Sequence, residues 1–118
     1  MKDDAIVIVP DAEVKYAIRV EQIPLQYALH QNYPNPFNPS TVLSFSLPVS
    51  GLVTLTVFNM LGQEVATLLH NEEKESGNYE AMFDASNRAS GVYFYRITAT
   101  AQSSGKVFAD VKRMMLVK

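Results

Sequence analysis

From residue 43 onward, apolar side chains recur at every second position. Leu43, Phe45 and Leu47 alternate with serines until Pro48, and Val53, Leu55 and Val57 alternate with Thr54, Thr56 and Phe58. Tyr79, Ala81 and Phe83 repeat the pattern, as do Tyr93, Tyr95 and Ile97. A period of two is the side-chain repeat of a strand with one buried face. Turn signals separate the runs. Leu61-Gly62-Gln63 reads as a tight turn in which Gly62 supplies a positive φ, and Gln63 to Leu69 returns as a strand. Asn71 to Gly77 reads as a charged loop and Asp84 to Ser90 as a polar turn closed by Gly91. Gln102 to Gly105 turns the chain into a last strand, Lys106 to Val117. No stretch has a helical period. The pattern predicts an all-β chain of about seven strands in a small sandwich. With no room for crossover helices, its sheets are mainly antiparallel.

The N-terminal block reads differently. Ala5 to Val9 is a short apolar run closed by Pro10, and Val14, Tyr16, Ile18 and Val20 alternate with Lys15, Ala17, Arg19 and Glu21. Two strands joined across Pro10-Asp11-Ala12 make a hairpin, which is marginal alone in water. It either leans on the main domain or is the end of a preceding one. Glu21 to Gln26 reads as a linker, so residues 1–26 form an extension and residues 27–118 the sandwich.

Between them lies Asn32-Tyr33-Pro34-Asn35-Pro36-Phe37-Asn38-Pro39-Ser40-Thr41. Pro34, Pro36 and Pro39 each fix their own φ and push Tyr33, Asn35 and Asn38 toward extended geometry. The segment is neither helix nor central strand but a stiff strap. Tyr33 and Phe37 are two apolar plugs that dock on the end of the sandwich and fix where the chain enters it. The other reading is a polyproline ligand for a partner groove.

Composition narrows the classes. The chain has 118 residues, 47% of them hydrophobic, and a formal charge of −2, with a pI near 5.6. One domain with one core fits that length. The charge disfavours nucleic acid, which needs a basic surface. No apolar run reaches the length of a membrane span. Met1 is followed by Lys2-Asp3-Asp4 without a signal-peptide apolar region, which suits a cytoplasmic chain or a piece of a longer exported one. The chain contains no cysteine, so disulfides, thiolate metal sites and cysteine nucleophiles are excluded.

Catalytic chemistry finds little to work with. His30 and His70 lie forty positions apart with no carboxylate partner nearby in sequence, and read as solvated or hydrogen-bonded surface residues. There is no nucleophile elbow, zinc-binding helix motif, EF-hand loop or glycine-rich phosphate cradle. Asp84-Ala85-Ser86-Asn87 lacks the carboxylate count of a calcium site and reads as an Asx-type turn. No enzyme activity, cofactor, metal or small-molecule substrate is expected.

The last strand is unusual, because Met114-Met115-Leu116-Val117 is apolar at consecutive positions. It reads as a strand buried on both faces, as a methionine pair filling gaps, or as an edge offered to a receptor by strand addition. An edge left open could also pair with a second copy. Lys106, Lys112, Arg113 and Lys118 are opposed there only by Asp110. A basic edge guards against aggregation or steers the C-terminus to an acidic receptor.

The strap, extended to Gln31, resembles the opening of the type A C-terminal sorting domains of the bacterial type IX secretion system. The likeness continues at Phe45-Ser46-Leu47-Pro48, at Val57 to Val65, at Ala89-Ser90-Gly91-Val92-Tyr93-Phe94-Tyr95-Arg96-Ile97 and at Lys112 to Lys118. It covers residues 27–118 and extends to the immunoglobulin-like domain of flagellar hook-capping proteins. It implies an immunoglobulin-like antiparallel sandwich that guides a periplasmic cargo through an outer-membrane translocon. A sortase-like peptidase then removes it, between Val20 and Asn32, as the cargo is attached to the cell surface. The expected partners are the translocon and the peptidase, and the expected locations are the periplasm in transit and then the outer-membrane surface or the exterior. By matching position, Lys112, Arg113, Met114, Met115, Leu116, Val117 and Lys118 would be read by the translocon. Tyr33, Pro34, Pro36, Phe37, Pro39, Gly62, Gly91 and Tyr93 would be structural, with Tyr93 burying its ring and pairing its hydroxyl and Arg96 solvated or paired on the opposite face. The alternative is a non-catalytic interaction sandwich, hook-capping-like or carbohydrate-binding.

Overall fold

The alternating runs become strands whose apolar positions all face one interior. In the computed structural model, residues 4–10 and 18–118 are described, with side chains from Ile23 onward. Two N-terminal strands, β1 (Asp4–Pro10) and β2 (Ile18–Pro24), pair antiparallel as a separate two-stranded sheet. The second strand of this hairpin runs through Pro24, into the expected linker. Val14 and Tyr16 lie outside the described residues.

The remaining strands are β3 (Ala28–Leu29), β4 (Ser40–Leu47), β5 (Gly51–Asn59), β6 (Glu64–Lys74), β7 (Gly77–Asp84), β8 (Gly91–Ala101) and β9 (Val107–Leu116). They form two antiparallel sheets, β3-β4-β7 and β6-β5-β8-β9. Leu43, Phe45, Leu47 and Phe83 of the first sheet meet Val53, Leu55, Val57, Tyr95 and Ile97 of the second in one buried core.

Three local differences from the sequence pattern have physical causes. The acidic stretch from Asn71 to Lys74 belongs to β6, leaving only Glu75 and Ser76 between β6 and β7. Asn71 takes a φ of 47°, and its N–H donates to Thr54 Oγ1 at 3.1 Å, so the strand passes this irregularity and pairs on to Lys74 opposite Gly51. Glu72 and Glu73 stay exposed because β6 is an edge, where charge is tolerated and discourages further pairing. At the other edge, β9 is not buried on both faces: Met114 and Leu116 are buried, while Met115 and Val117 are 43% and 49% exposed. Only one face of this sheet is covered by the other sheet. In the strap, Phe37 is 2% exposed and Tyr33 80% exposed. The strap therefore carries one plug: Phe37 bridges to Leu116 of β9, whereas Tyr33 bridges to Val42 of β4 and leaves its ring on the outer side.

Two glycines have positional reasons. Gly62 takes a φ of 80° in the β5–β6 turn, where the Asn59 side-chain oxygen accepts from the N–H groups of Leu61 and Gln63 at 2.9 and 3.0 Å. Gly51 is fixed by space. A Cβ there would lie 2.2 Å from the backbone oxygen of Thr100. Gly51→Ala is expected to cost roughly 1–3 kcal/mol, as overpacking against backbone does. It should appear as a lower urea midpoint with an unchanged slope.

Candidate recognition surface

The tail and the strap, separate in sequence, are assembled into one structure. The Phe37 N–H donates to the Met115 carbonyl at 2.9 Å, and the Val117 N–H donates to the Phe37 carbonyl at 3.0 Å. The two segments form a parallel bridge between Phe37 and Leu116. The Met115 N–H donates to Asn35 Oδ1 at 3.0 Å, and Gln31 Nε2 donates to the Arg113 carbonyl at 2.7 Å. Phe37 closes the core end beside Leu116, with its ring edge-on to Phe83 at 6.1 Å between centroids.

The strap is held in shape by a buried polar cluster. Asn32 Nδ2 donates to Thr41 Oγ1 at 2.9 Å and to the Pro34 carbonyl at 3.0 Å. Thr41 Oγ1 in turn donates to the Pro34 carbonyl at 2.9 Å. The X–Pro bonds at Pro34, Pro36 and Pro39 are all cis. The cluster is not apparent in the sequence, where Asn32 and Thr41 sit nine positions apart among turn-forming residues. Thr41→Val removes both hydroxyl bonds and leaves Asn32 partly unpaired. The expected cost is roughly 1–3 kcal/mol, the penalty for a buried polar group losing its partner. Comparison of the thermal midpoints of the two proteins checks it.

The tail residues do not form one charged patch. Lys112 is half-buried and faces the core side of β9, whereas Arg113 is exposed on the outer side. Lys118 is tied to the β7–β8 loop: its N–H donates to Ser90 Oγ at 3.0 Å and its Nζ to the Ser86 carbonyl at 2.7 Å. That loop is an Asx-type turn, since Asp84 Oδ1 accepts from the Ser86 N–H at 2.9 Å and from its hydroxyl. These Ser86 bonds, side chain first, hold the Asp84 carboxyl below its ordinary range, and Lys118 adds to the effect.

The motif around β8 divides between the two faces of its sheet. Gly91 opens the strand. The Tyr93 ring is buried and its hydroxyl donates to the Ala89 carbonyl at 2.6 Å. Arg96 faces outward with its guanidinium 4.8 Å from the centroid of Phe58, a cation–π contact. Tyr95, which reads in sequence as ordinary core, also has a polar role. Its hydroxyl donates to the His30 carbonyl at 2.6 Å and so ties the segment before the strap to the core. His30 is exposed, with Nε2 3.2 Å from Ser46 Oγ.

Burial pushes the Tyr95 phenol up to about 12 from 10.0, the Asn32 backbone N–H works against this, and Asp110 adds to the rise. The fold therefore prefers the neutral phenol. Stability from this group is intact below pH 10, where both states are neutral. It falls as the unfolded chain ionises first, and the loss levels off near pH 12 when the native phenol follows. The Tyr95 side chain is buried and its hydroxyl lies in a part-buried hydrogen bond to His30, so the loss is on the order of 1–2 kcal/mol. Urea midpoints across this range should fall more steeply than in Tyr95→Phe.

Among the described residues, no group of three or more His, Asp or Glu side chains is placed to hold a metal ion, and no helix is long and apolar enough to cross a membrane.

Comparison with known proteins agrees with this architecture. The family model described as "Secretion system C-terminal sorting domain" matches residues 31–109, from Gln31 through the strap to the first residues of β9. No curated protein sequence matches the chain. Among solved structures, CopC from Methylosinus trichosporium OB3b is similar with a TM-score of 0.53 and 12% identity, over 77% of this chain and 93% of that one. The dimeric latent PorU of Porphyromonas gingivalis is similar with a TM-score of 0.59 and 17% identity, over 97% of this chain. The chain spans 12% of the PorU chain. At such identities both show the β-sandwich fold alone. The family match takes in the strap, β4 to β8 and the Gly91–Ile97 motif, and the chain belongs to the C-terminal sorting domains of the type IX secretion system.

Proposed function

We propose that this domain is the signal by which a cargo protein leaves the periplasm through the outer-membrane type IX translocon. It acts as a ligand of the secretion machinery and then as a substrate of a sortase-like peptidase, and it performs no chemistry itself. The observation that carries this reading is the family match over residues 31–109. On this reading residues 1–26 lie on the cargo side and residues 27–118 are the sorting unit. The protein is then exported and finally displayed at the outer-membrane surface or released outside the cell. The tail, Lys112 to Lys118, is presented folded, with Met114 and Leu116 anchoring it and Arg113, Met115 and Val117 facing out.

Cleavage on this reading needs accessible chain. A protease groove takes extended, unpaired chain. Between Val20 and Asn32, β2 occupies the chain through Pro24 and β3 begins at Ala28. Leu25, 57% exposed, and Gln26 are accessible, while the Tyr27 ring stacks on Phe108 with centroids 4.7 Å apart. The cut is therefore expected at Leu25 or Gln26. A reporter fused ahead of the chain should be recovered at the surface of a type IX bacterium, and mass spectrometry should place its new C-terminus there. Recovery of surface reporter cut inside β3–β9 would contradict the assignment of the removed unit, and reporter held in the periplasm would contradict sorting.

A further inference from the structure

The strap decides how the tail can be recognised. Reading a strand by strand addition requires unpaired N–H and C=O groups along its edge. On the outer edge of β9, the Arg113 carbonyl, both backbone groups of Met115 and the Val117 N–H already bond to Gln31, Asn35 and Phe37. The tail's backbone edge is closed by its own domain. Its outward side chains, in contrast, continue a surface.

By register, Phe58 of β5 lies beside Phe94 of β8, Phe94 beside Arg113 of β9, and Arg96 beside Val111. These residues share the outer face of the four-stranded sheet, with Met115 next along β9. Phe58, Phe94, Arg96 and Val111 line a shallow, mainly apolar hollow of about 290 Å³ at the β5–β6 turn. Val111 is 51% exposed. Arg96 and Arg113 are diagonal cross-strand neighbours, a spacing of roughly 7–8 Å. Among the described residues neither forms an ion pair, and the outward positions of β8 and β9 carry no carboxylate. Glu64, on β6 opposite Phe58, accepts from Thr67 Oγ1 at 2.8 Å. Aromatic and arginine side chains around an apolar floor are the composition of an interface centre. Two uncompensated arginines call for carboxylates opposite.

We propose that this face docks a segment of the secretion machinery that presents an apolar side chain flanked by carboxylates. The apolar group fills the hollow at Phe58, Phe94 and Val111, and the carboxylates pair with Arg96 and Arg113. The tail is then read through Arg113 and Met115 as part of a sheet face, and the strap stays in place. The inference rests on the sorting reading above.

The test is export of a reporter fused ahead of the full chain in a type IX bacterium, with each purified fusion checked for an unchanged melting temperature. Arg96→Glu combined with Arg113→Glu should lower the surface-to-periplasm ratio about ten-fold or more. Val111→Asp, on the same hollow but with different packing, should do likewise. Thr98→Glu with Thr100→Glu puts two carboxylates at the other end of β8 on that face, half the charge change of the double arginine variant, and should export normally. So should Ala109→Pro, which removes an outward N–H from the open part of the β9 edge, where proline is tolerated. Normal export of both the double arginine variant and Val111→Asp overturns the proposal. Loss of export confined to Ala109→Pro also overturns it, in favour of strand addition. If wild type sediments with phosphatidylglycerol vesicles and the double arginine variant does not, the face belongs to a lipid surface, and the protein partner is overturned. Failure of wild type to export takes down the sorting reading and this proposal together, a result distinct from the others.

Discussion

Phe37→Ala is expected to cost about 3–5 kcal/mol, the range for a fully buried phenylalanine. That is a large share of the total for a domain of this size, about 5–15 kcal/mol. Phe37 is buried against Leu116 and edge-on to Phe83, and its own backbone supplies the bonds to Met115 and Val117. Loss of the ring should therefore loosen the tail as well as the strap. Amide hydrogen exchange should accelerate at Phe37 and Val117, while the β5–β8 pairing exchanges only with global unfolding. Tyr33→Ala, at a ring 80% exposed, should change stability by no more than about 0.5 kcal/mol. Equal effects at the two positions would contradict the single-plug account of the strap.

Removal of Arg113 to Lys118 should have the other large effect. Met114 and Leu116 are each 1% exposed, and truncation of either to alanine typically costs about 2–5 kcal/mol. The deletion removes both. It also takes away every backbone partner of Phe37 and the Lys118 contacts to the β7–β8 loop. The sum, on the order of 5 kcal/mol or more, approaches the whole stability of the domain. The shortened chain is expected to lack a cooperative thermal transition near that of the full chain. This bears directly on function. A secretion defect on tail deletion reports loss of the fold as readily as loss of a recognised sequence. Outward-facing substitutions such as Arg113→Glu separate the two, because they leave the core side of β9 intact.

Much of this architecture is legible in the period-two pattern. The inward positions of β4, β5, β7 and β8 follow directly from alternation, because one sheet face meets the other and the opposite face meets water. The Gly62 turn and the Asx turn at Asp84 are local chemistry and are equally readable. Pairings between distant residues are not. Asn32 and Thr41 look like two more turn residues until the chain brings them together around the Pro34 carbonyl. Met115 and Val117 look as buried as Met114 and Leu116, because apolarity alone cannot say that β9 is an edge with one covered face. The extent of β6 is hidden for the opposite reason. Acidic residues suggest a loop, yet an edge strand accepts them. The role of the strap as partner of the tail depends on residues some eighty positions apart, such as Asn35 and Met115, and no local signal carries that.

The most direct test of sorting compares two strains of a type IX bacterium, one with an intact translocon and one without. Each expresses a signal peptide and reporter followed by the full 118-residue chain, alongside the reporter without it. The account predicts surface reporter only where both the chain and the translocon are present, with the same fusion accumulating folded in the periplasm of the translocon-deficient strain. Folded fusion that stays in the periplasm of the intact strain, or surface reporter that does not depend on the translocon, would contradict it.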